Sequence, residues 1–259
     1  MMGISIAGFD PSGGAGIIAD MKTFTALGIH GTSVITALTA QNPKKVFSSL
    51  AIDTEYIEEQ IDSIFDEYGE YINYGKTGML YSTEIIKIVA KKIKEYNINL
   101  VVDPVMVASA GGNLAKEEIA NSLKKYLLPH CLITTPNVYE AELLSGMKIN
   151  NPDDASRAAS KIGKISNVII TGGHLDGINT IYNKSNNETR DNSKITSIKK
   201  PLFKTDNVHG SGCSFSAALA GFMIKENDLN ISIKKSLDFT EIAIKDGNYG
   251  TLKQPHNFD

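Results

Sequence analysis

The sequence predicts an α/β sandwich on a mainly parallel sheet. Two observations carry this. Short apolar runs of strand length recur along the 259 residues. Between them lie amphipathic stretches of helical period, and strands alternating with helices imply parallel crossovers.

The run GISIA (3–7) is a buried-strand signature, and it enters the loop GFDPSGGAG (8–16). In the following IIADMKTFTALG, Ile17, Ile18, Met21, Phe24, Thr25 and Leu27 recur at helical spacing. Gly28 stands where a helix-ending glycine belongs. TSVITAL (32–38) reads as the next strand and VFSSLAI (46–52) as a short edge strand. Residues 54–67 read as a helix with Ile57, Ile61, Ile64 and Phe65 on one face. YINYGKTGM (71–79) is a strand running into a glycine turn, and 82–95 is another amphipathic helix. LVVDPVMV (100–107) starts as a fully buried strand and stops pairing at Asp103-Pro104, because proline cannot donate to a ladder. Residues 115–127 are helical, LITT (132–135) is a strand, and NVYEAELLSG (137–146) starts a helix. A further helix covers about 153–163, and VIITGG (168–173) is a strand. INTIYN (178–183) and the polar stretch to Lys200 read as surface hairpins, where variation in length and mobility are expected. The last helices cover 214–225 and 230–246. No internal repeat and no long linker interrupts the chain, so residues 1–259 are expected to form one domain.

Composition narrows the function. Hydrophobic residues make up 42% and charged residues 21%, which excludes a disordered tail, a coiled coil and a collagen-like chain. Lys+Arg is 26 and Asp+Glu 29, a net charge of −3, which does not suit a general nucleic-acid binder. Cys131 and Cys213 are too few for a disulfide framework. No apolar run is long enough to span a membrane, and MMGISIAGFD lacks the features of a signal peptide. The expected address is the cytoplasm.

In parallel sheets ligands bind beyond the carboxyl ends of the strands. The loops 8–16, 103–112, 136–140 and 171–177 all follow strands and should converge there. GFDPSGGAG lacks the lysine of a Walker loop and the third glycine of a dinucleotide fingerprint. It is either a flexible turn or a backbone wall for a flat ligand. HGSGC (209–213) opens an alanine-rich helix. Either Ser211 simply caps it, or its free N–H groups and dipole receive an anion. Cys213 is either a small buried hydrophobe or a thiol whose pKa the helix start lowers. Asn137 and Glu140 have the spacing of a capping box, and Glu140 could instead bind Mg2+ through water. Asp103, at a buried strand's end, places a carboxylate at the crevice. Gln41-Asn42 follows a strand and could read the heteroatoms of a base-like ligand. The five histidines show no metal-ligand spacing, so no zinc site is expected.

Taken in order, AGFDPSGGAGIIADMKTFTALG, TSVITALTAQN, VVDPVMVASAGG, LITTPNVYEAELLSG, TGGH and HGSGCSFSAALAGF resemble the segments of hydroxymethylpyrimidine/phosphomethylpyrimidine kinases, ribokinase-like enzymes of thiamine biosynthesis. The resemblance runs over nearly the whole chain. It implies a ribokinase-like three-layer sandwich, often dimeric, that uses ATP and Mg2+ to phosphorylate 4-amino-5-hydroxymethyl-2-methylpyrimidine and then its monophosphate. By position it implies a pyrimidine pocket of Gly8, Ala15, Gln41, Met79 and Val105. Asp103 and Glu140 match the metal region, Asn137 and Thr171 the nucleotide and phosphate region, and Gly210, Ser211 and Gly212 the anion hole. Cys213 matches the base. Two departures stand out: the family often has lysine where this chain has Ser109 and Thr171, and aspartate where it has Gly112. Two positive phosphate contacts are then absent, which bears more on the second, more anionic phosphorylation; Lys76 or Lys204 could substitute. The rival readings are a pyridoxal kinase of the same subfamily and a non-catalytic ligand-binding protein on this fold.

Overall fold

The computed structural model describes residues 1–106, 112–184, 195–256 and 258. Its strands are β1 (Met2–Phe9), β2 (His30–Asn42), β3 (Lys45–Ala51), β4 (Tyr74–Thr77), β5 (Asn99–Val102), β6 (Ile133–Thr134), β7 (Asn167–Ile170), β8 (Ile178–Tyr182) and β9 (Ile195–Lys199). They form one sheet in the order β3-β2-β1-β4-β5-β6-β7-β8-β9. The run from β2 to β7 is parallel. β3 joins β2 antiparallel at one edge, and β8 and β9 continue antiparallel from β7 at the other.

The helices are α1 (Gly16–Ala26), α2 (Thr54–Tyr68), α3 (Thr83–Glu95), α4 (Gly112–Ser122), α5 (Val138–Ser145), α6 (Pro152–Ile162), α7 (Ser211–Glu226) and α8 (Leu229–Lys245). Side chains alternate across a strand, so each buried strand feeds two cores. Ile4, Ile6, Leu100, Val102, Val168 and Ile170 pack with α2, α3, α5 and α6. Val101, Ile133, Ile169 and Ile181 pack on the other face with α1, α7 and α8. The result is a ribokinase-like α/β sandwich of three layers. Ala217, Ala218 and Ala220 are fully buried, and their small side chains let α7 lie close against the centre of the sheet.

Three elements depart from the sequence reading. β4 is only four residues long, because 69–71 form a 3-10 turn before it. The helix expected over 115–127 starts at Gly112, and its last five residues wind more loosely, as a π-turn. Residues 178–182 and 195–199 do pair antiparallel as a hairpin, but they extend the main sheet, and Asn179, Thr180 and Ile181 are buried rather than at the surface. The short polar stretch 185–194 lies outside the described residues. No helix among the described residues is long and apolar enough to cross a membrane.

One ion pair is sealed inside this framework. Lys76 on β4 and Asp20 on α1 are both fully buried, with Nζ 3.0 Å from Oδ1. Ser5 on β1 donates to the other Asp20 oxygen at 2.6 Å. Burial drives Asp20 toward its neutral form and Lys76 opposes it. Removing one member of such a pair leaves a bare buried charge. We expect Lys76→Met to lose about 3–5 kcal/mol in urea unfolding. The double variant Lys76→Met/Asp20→Asn should recover much of that loss; equal losses in both would mean the pair is not what stabilises this layer.

Candidate active site

The parallel strands end at one rim, and α7 begins there. Its first residue is Ser211, preceded by Gly210 at a φ of 86°, and no side chain caps it. Ser211 is therefore not the cap. Ser211 N donates to the Val208 carbonyl at 3.1 Å, and the N–H groups of Gly212 and Cys213 lack intrahelical acceptors. Gly210 cannot be replaced: a Cβ there would lie 1.7 Å from the Gly14 carbonyl oxygen. Gly16, at a φ of 56°, is held as tightly, since its Cβ would lie 2.2 Å from the Gly8 oxygen. The loop after β1 is thus folded on itself and pressed against the loop before α7.

Two cavities flank that turn. The first, about 210 Å3, is lined by Gly8, Ala15, Gln41, Met79, Val105 and Cys213, together with Asp10, Thr39, Val46 and His209. The second, about 150 Å3, is lined by Thr171, Gly172, Ser211 and Gly212, with Lys200, Leu202, Thr240 and Glu241. Phe215, Leu237 and Ile244 give the second an apolar wall suited to a flat base. The first turn of α7 divides them: Ser211 and Gly212 face one side and Cys213 the other. A larger groove of about 710 Å3 lies on the outer face of α1 and is lined by none of the expected site residues.

Asp103 sits just past β5, almost fully buried. Its Oδ2 accepts from Ser216 Oγ on α7 at 3.2 Å and lies 4.0 Å from Lys76 Nζ. Burial raises its pKa, Lys76 opposes this, and the Asp20 charge adds to the rise. Asn137 and Glu140 do form a capping box: Glu140 N donates to Asn137 Oδ1 at 3.0 Å, and Asn137 N to Glu140 Oε2 at 2.9 Å. Glu140 is nonetheless pushed up to about 8, first by burial and then by the Asp103 charge. Glu140 feels the Asp103 charge, and both are hard oxygen donors. That set fits Mg2+, which binds through one or two carboxylates and keeps phosphate and water in its shell.

Two expectations are corrected. Lys76 is no phosphate contact, because it is sealed beneath the site on Asp20. Cys213 does not have a lowered pKa: burial pushes its thiol up to about 12, with Lys76 opposing and Asp103 and Asp20 adding to the rise. Ser109 lies outside the described residues, and Lys204 is exposed. Sequence reasoning missed Asp10 and His209, whose carboxylate and ring lie 2.8 Å apart. The signal was there in part, since Asp-Pro-Ser-Gly is a turn in which aspartate bonds its own loop.

A family model described as phosphomethylpyrimidine kinase matches residues 10–257. A hydroxymethylpyrimidine/phosphomethylpyrimidine kinase of Bacillus subtilis is 39% identical over 245 residues, 93% of this chain and 88% of that one. Among solved structures, an ADP complex of Bacillus subtilis pyridoxal kinase superposes with a TM-score of 0.87 at 34% identity, covering 99% of this chain and 97% of that one. Phosphomethylpyrimidine kinase of Clostridium difficile superposes with a TM-score of 0.77 at 36% identity, covering 94% and 99%.

If the contact between the two loops shapes both cavities, Gly210→Ala should destroy both together. We expect binding of an ATP analogue, followed by calorimetry, to weaken by at least about tenfold, since the strain at a positive φ and the clash each cost about 1–3 kcal/mol. Unchanged nucleotide binding would show that the turn is not held by this contact.

Proposed function

The chain belongs to the phosphomethylpyrimidine kinase family and is a kinase, and on that premise we propose that it transfers phosphoryl groups from ATP, first to the hydroxymethyl group of 4-amino-5-hydroxymethyl-2-methylpyrimidine and then to the monophosphate, in thiamine biosynthesis. One observation carries this reading: the first turn of α7 separates the cavity of Gly8, Gln41 and Met79 from a smaller one with an apolar wall and polar rim. A transferred group must pass between two ligands at such a boundary. The pyrimidine occupies the first cavity against Gly8, Ala15, Gln41, Met79 and Val105. The nucleotide occupies the second, its phosphates near Asn137, Thr171 and the anion hole of Gly210, Ser211 and Gly212.

Phosphoryl transfer asks little covalent work of a protein, so positioning and charge stabilisation dominate. The α7 N–H groups meet the negative charge that spreads over the transferring oxygens. Asp103 and Glu140 would hold Mg2+, which when bound neutralises phosphate charge and orients the donor. Ser216 Oγ donates to one Asp103 oxygen and fixes the carboxylate. Cys213 is the group that takes the hydroxymethyl proton. In the ligand-free protein it is a thiol, so it acts only in the fraction ionised at the working pH, a fraction that Lys76 beneath it enlarges.

In this reading the chain works as a homodimer in the cytoplasm. The exposed Val46, Phe47 and Leu50 on edge strand β3 supply apolar surface for a second copy, and two unpaired cysteines suit a reducing compartment. A second reading, pyridoxal kinase, is favoured by the close superposition on that enzyme. Pyridoxal also offers a hydroxymethyl group on a flat nitrogen heterocycle.

An assay of ADP release with each heterocycle tests the choice. We expect turnover of the pyrimidine at a kcat/KM well above that of pyridoxal; the reverse order would favour the second reading, and release with neither would refute both. For Cys213→Ser we expect kcat to fall by about 10²-fold, the usual scale of general-base loss, with little change in pyrimidine KM. Because the base acts deprotonated and its pKa is raised, the wild-type rate should climb with pH through the alkaline range without a plateau near neutrality, and that climb should vanish in the variant. Near-normal kcat in Cys213→Ser would mean the hydroxyl proton leaves late and needs no base.

A further inference from the structure

Among the described residues, Lys200 is the one lysine or arginine that lines either cavity. It follows β9, and its side chain is 23% exposed. Its Nζ donates to Asp238 Oδ1, and to Glu241 Oε2 at 2.9 Å. These carboxylates stand one turn apart on α8. Lys200 and Glu241 line the second cavity together with Ser211 and Gly212 from the first turn of α7. The cavity is only about 150 Å3, so the ammonium's attachment point and that turn share one small space.

The backbone of Lys200 is fixed, whereas its ammonium is not. Lys200 N donates to the Gly177 carbonyl at 2.9 Å. Gly177 has a φ of 80°, and a Cβ there would lie 1.9 Å from the Lys200 oxygen. Gly177 N donates to the Gly172 carbonyl at 3.0 Å, and Gly172 N to Asn179 Oδ1 at 2.9 Å, which holds this wall of the cavity in place. Beyond its Cα, a flexible four-carbon stem carries the charge. Burial works against that charge, and the two carboxylates outweigh it. Both carboxylates are open to solvent, Asp238 at 53% and Glu241 at 28%, and ion pairs so placed are weak and readily exchanged.

A nucleoside triphosphate brings several negative charges to a rim that already holds Asp103 and Glu140. Resting on the functional reading above, we infer that Lys200 is a nucleotide-binding residue that leaves Asp238 and Glu241 to meet the phosphates of the donor. The two carboxylates hold the ammonium beside the cavity, and a polyphosphate, which offers more charge and the same kind of acceptor, takes it over. Asp238 and Glu241 then compete with the nucleotide for one cation.

Calorimetry on the full chain, with a non-hydrolysable ATP analogue and with adenosine, tests this. In Lys200→Met, affinity for the analogue should fall at least about tenfold, the scale of one charge-assisted contact. Affinity for adenosine should change less than about threefold. Equal loss of both would show that Lys200 only ties β9 to α8, and overturn the inference. The double variant Asp238→Asn/Glu241→Gln frees the ammonium and should bind the analogue at least about threefold more tightly than wild type. A lost brace would do the opposite, so unchanged or weaker binding would also overturn it. Removing two carboxylates lowers repulsion of phosphate by itself, so the same two changes are made on Lys200→Met, where the gain should be smaller. An equal gain there would mean that the carboxylates act without Lys200, and the inference would fall. A wild type that binds neither ligand would overturn the functional reading itself, and this inference with it.

Discussion

Everything at the rim depends on the contact of Gly210 with the Gly14 carbonyl. It joins the loop that leaves β1 to the loop that enters α7, two segments from opposite ends of the chain. The first of these loops is turned by Asp10, which accepts from Ser12 N and Ala15 N. Pressed together, with Asp10 and His209 bonded across the join, they become a fixed wall. The first turn of α7 can then present N–H groups to one side and Cys213 to the other. The alanine-rich face of α7 makes this possible by letting the helix sit directly over β1, β4 and β5, the centre of the sheet.

Below the wall the electrostatics are lopsided. Asp20, Asp103 and Glu140 crowd one region, and Lys76 is the cation near the first two. Asp20 is satisfied by Lys76 and Ser5, while Glu140 bears the Asp103 repulsion. Burial and repulsion from a neighbouring carboxylate hold Asp103 and Glu140 toward their neutral forms. Burial first, and then the Asp103 and Asp20 charges, raise the Cys213 thiol against the pull of Lys76. A helix start lowers a thiol pKa only where solvent or cations are not outweighed by burial, and here burial wins.

The parallel core was legible because apolar runs and helical periods do not depend on distant partners. The pocket residues came from the resemblance, and topology bears on why they meet: Gly8 and Gln41 end β1 and β2, Met79 and Val105 follow β4 and β5, and Ala15 and Cys213 stand at helix starts. What stayed hidden was pairwise. Asp10 and His209 are 199 positions apart, and nothing local to either reports the bond. Lys76 read as a free cation because a strand residue shows its charge but not which face it takes; β4 turns it inward onto α1. β8 was mistaken for surface because its polar Asn179 and Thr180 look solvated, yet Asn179 spends its amide on Gly172, Gly177 and Ile198 backbone groups inside the sheet.

The central claim is that donor and acceptor meet across the first turn of α7. A crystal structure with a non-hydrolysable ATP analogue and the aminopyrimidine bound together tests it most directly. The account predicts the hydroxymethyl oxygen in the Gln41–Met79 cavity and the terminal phosphorus beside Gly212, about 3–3.5 Å apart and in line, with Cys213 Sγ in hydrogen-bond reach of that oxygen. A pyrimidine seated elsewhere, or a terminal phosphate turned away from the α7 N–H groups, would contradict it.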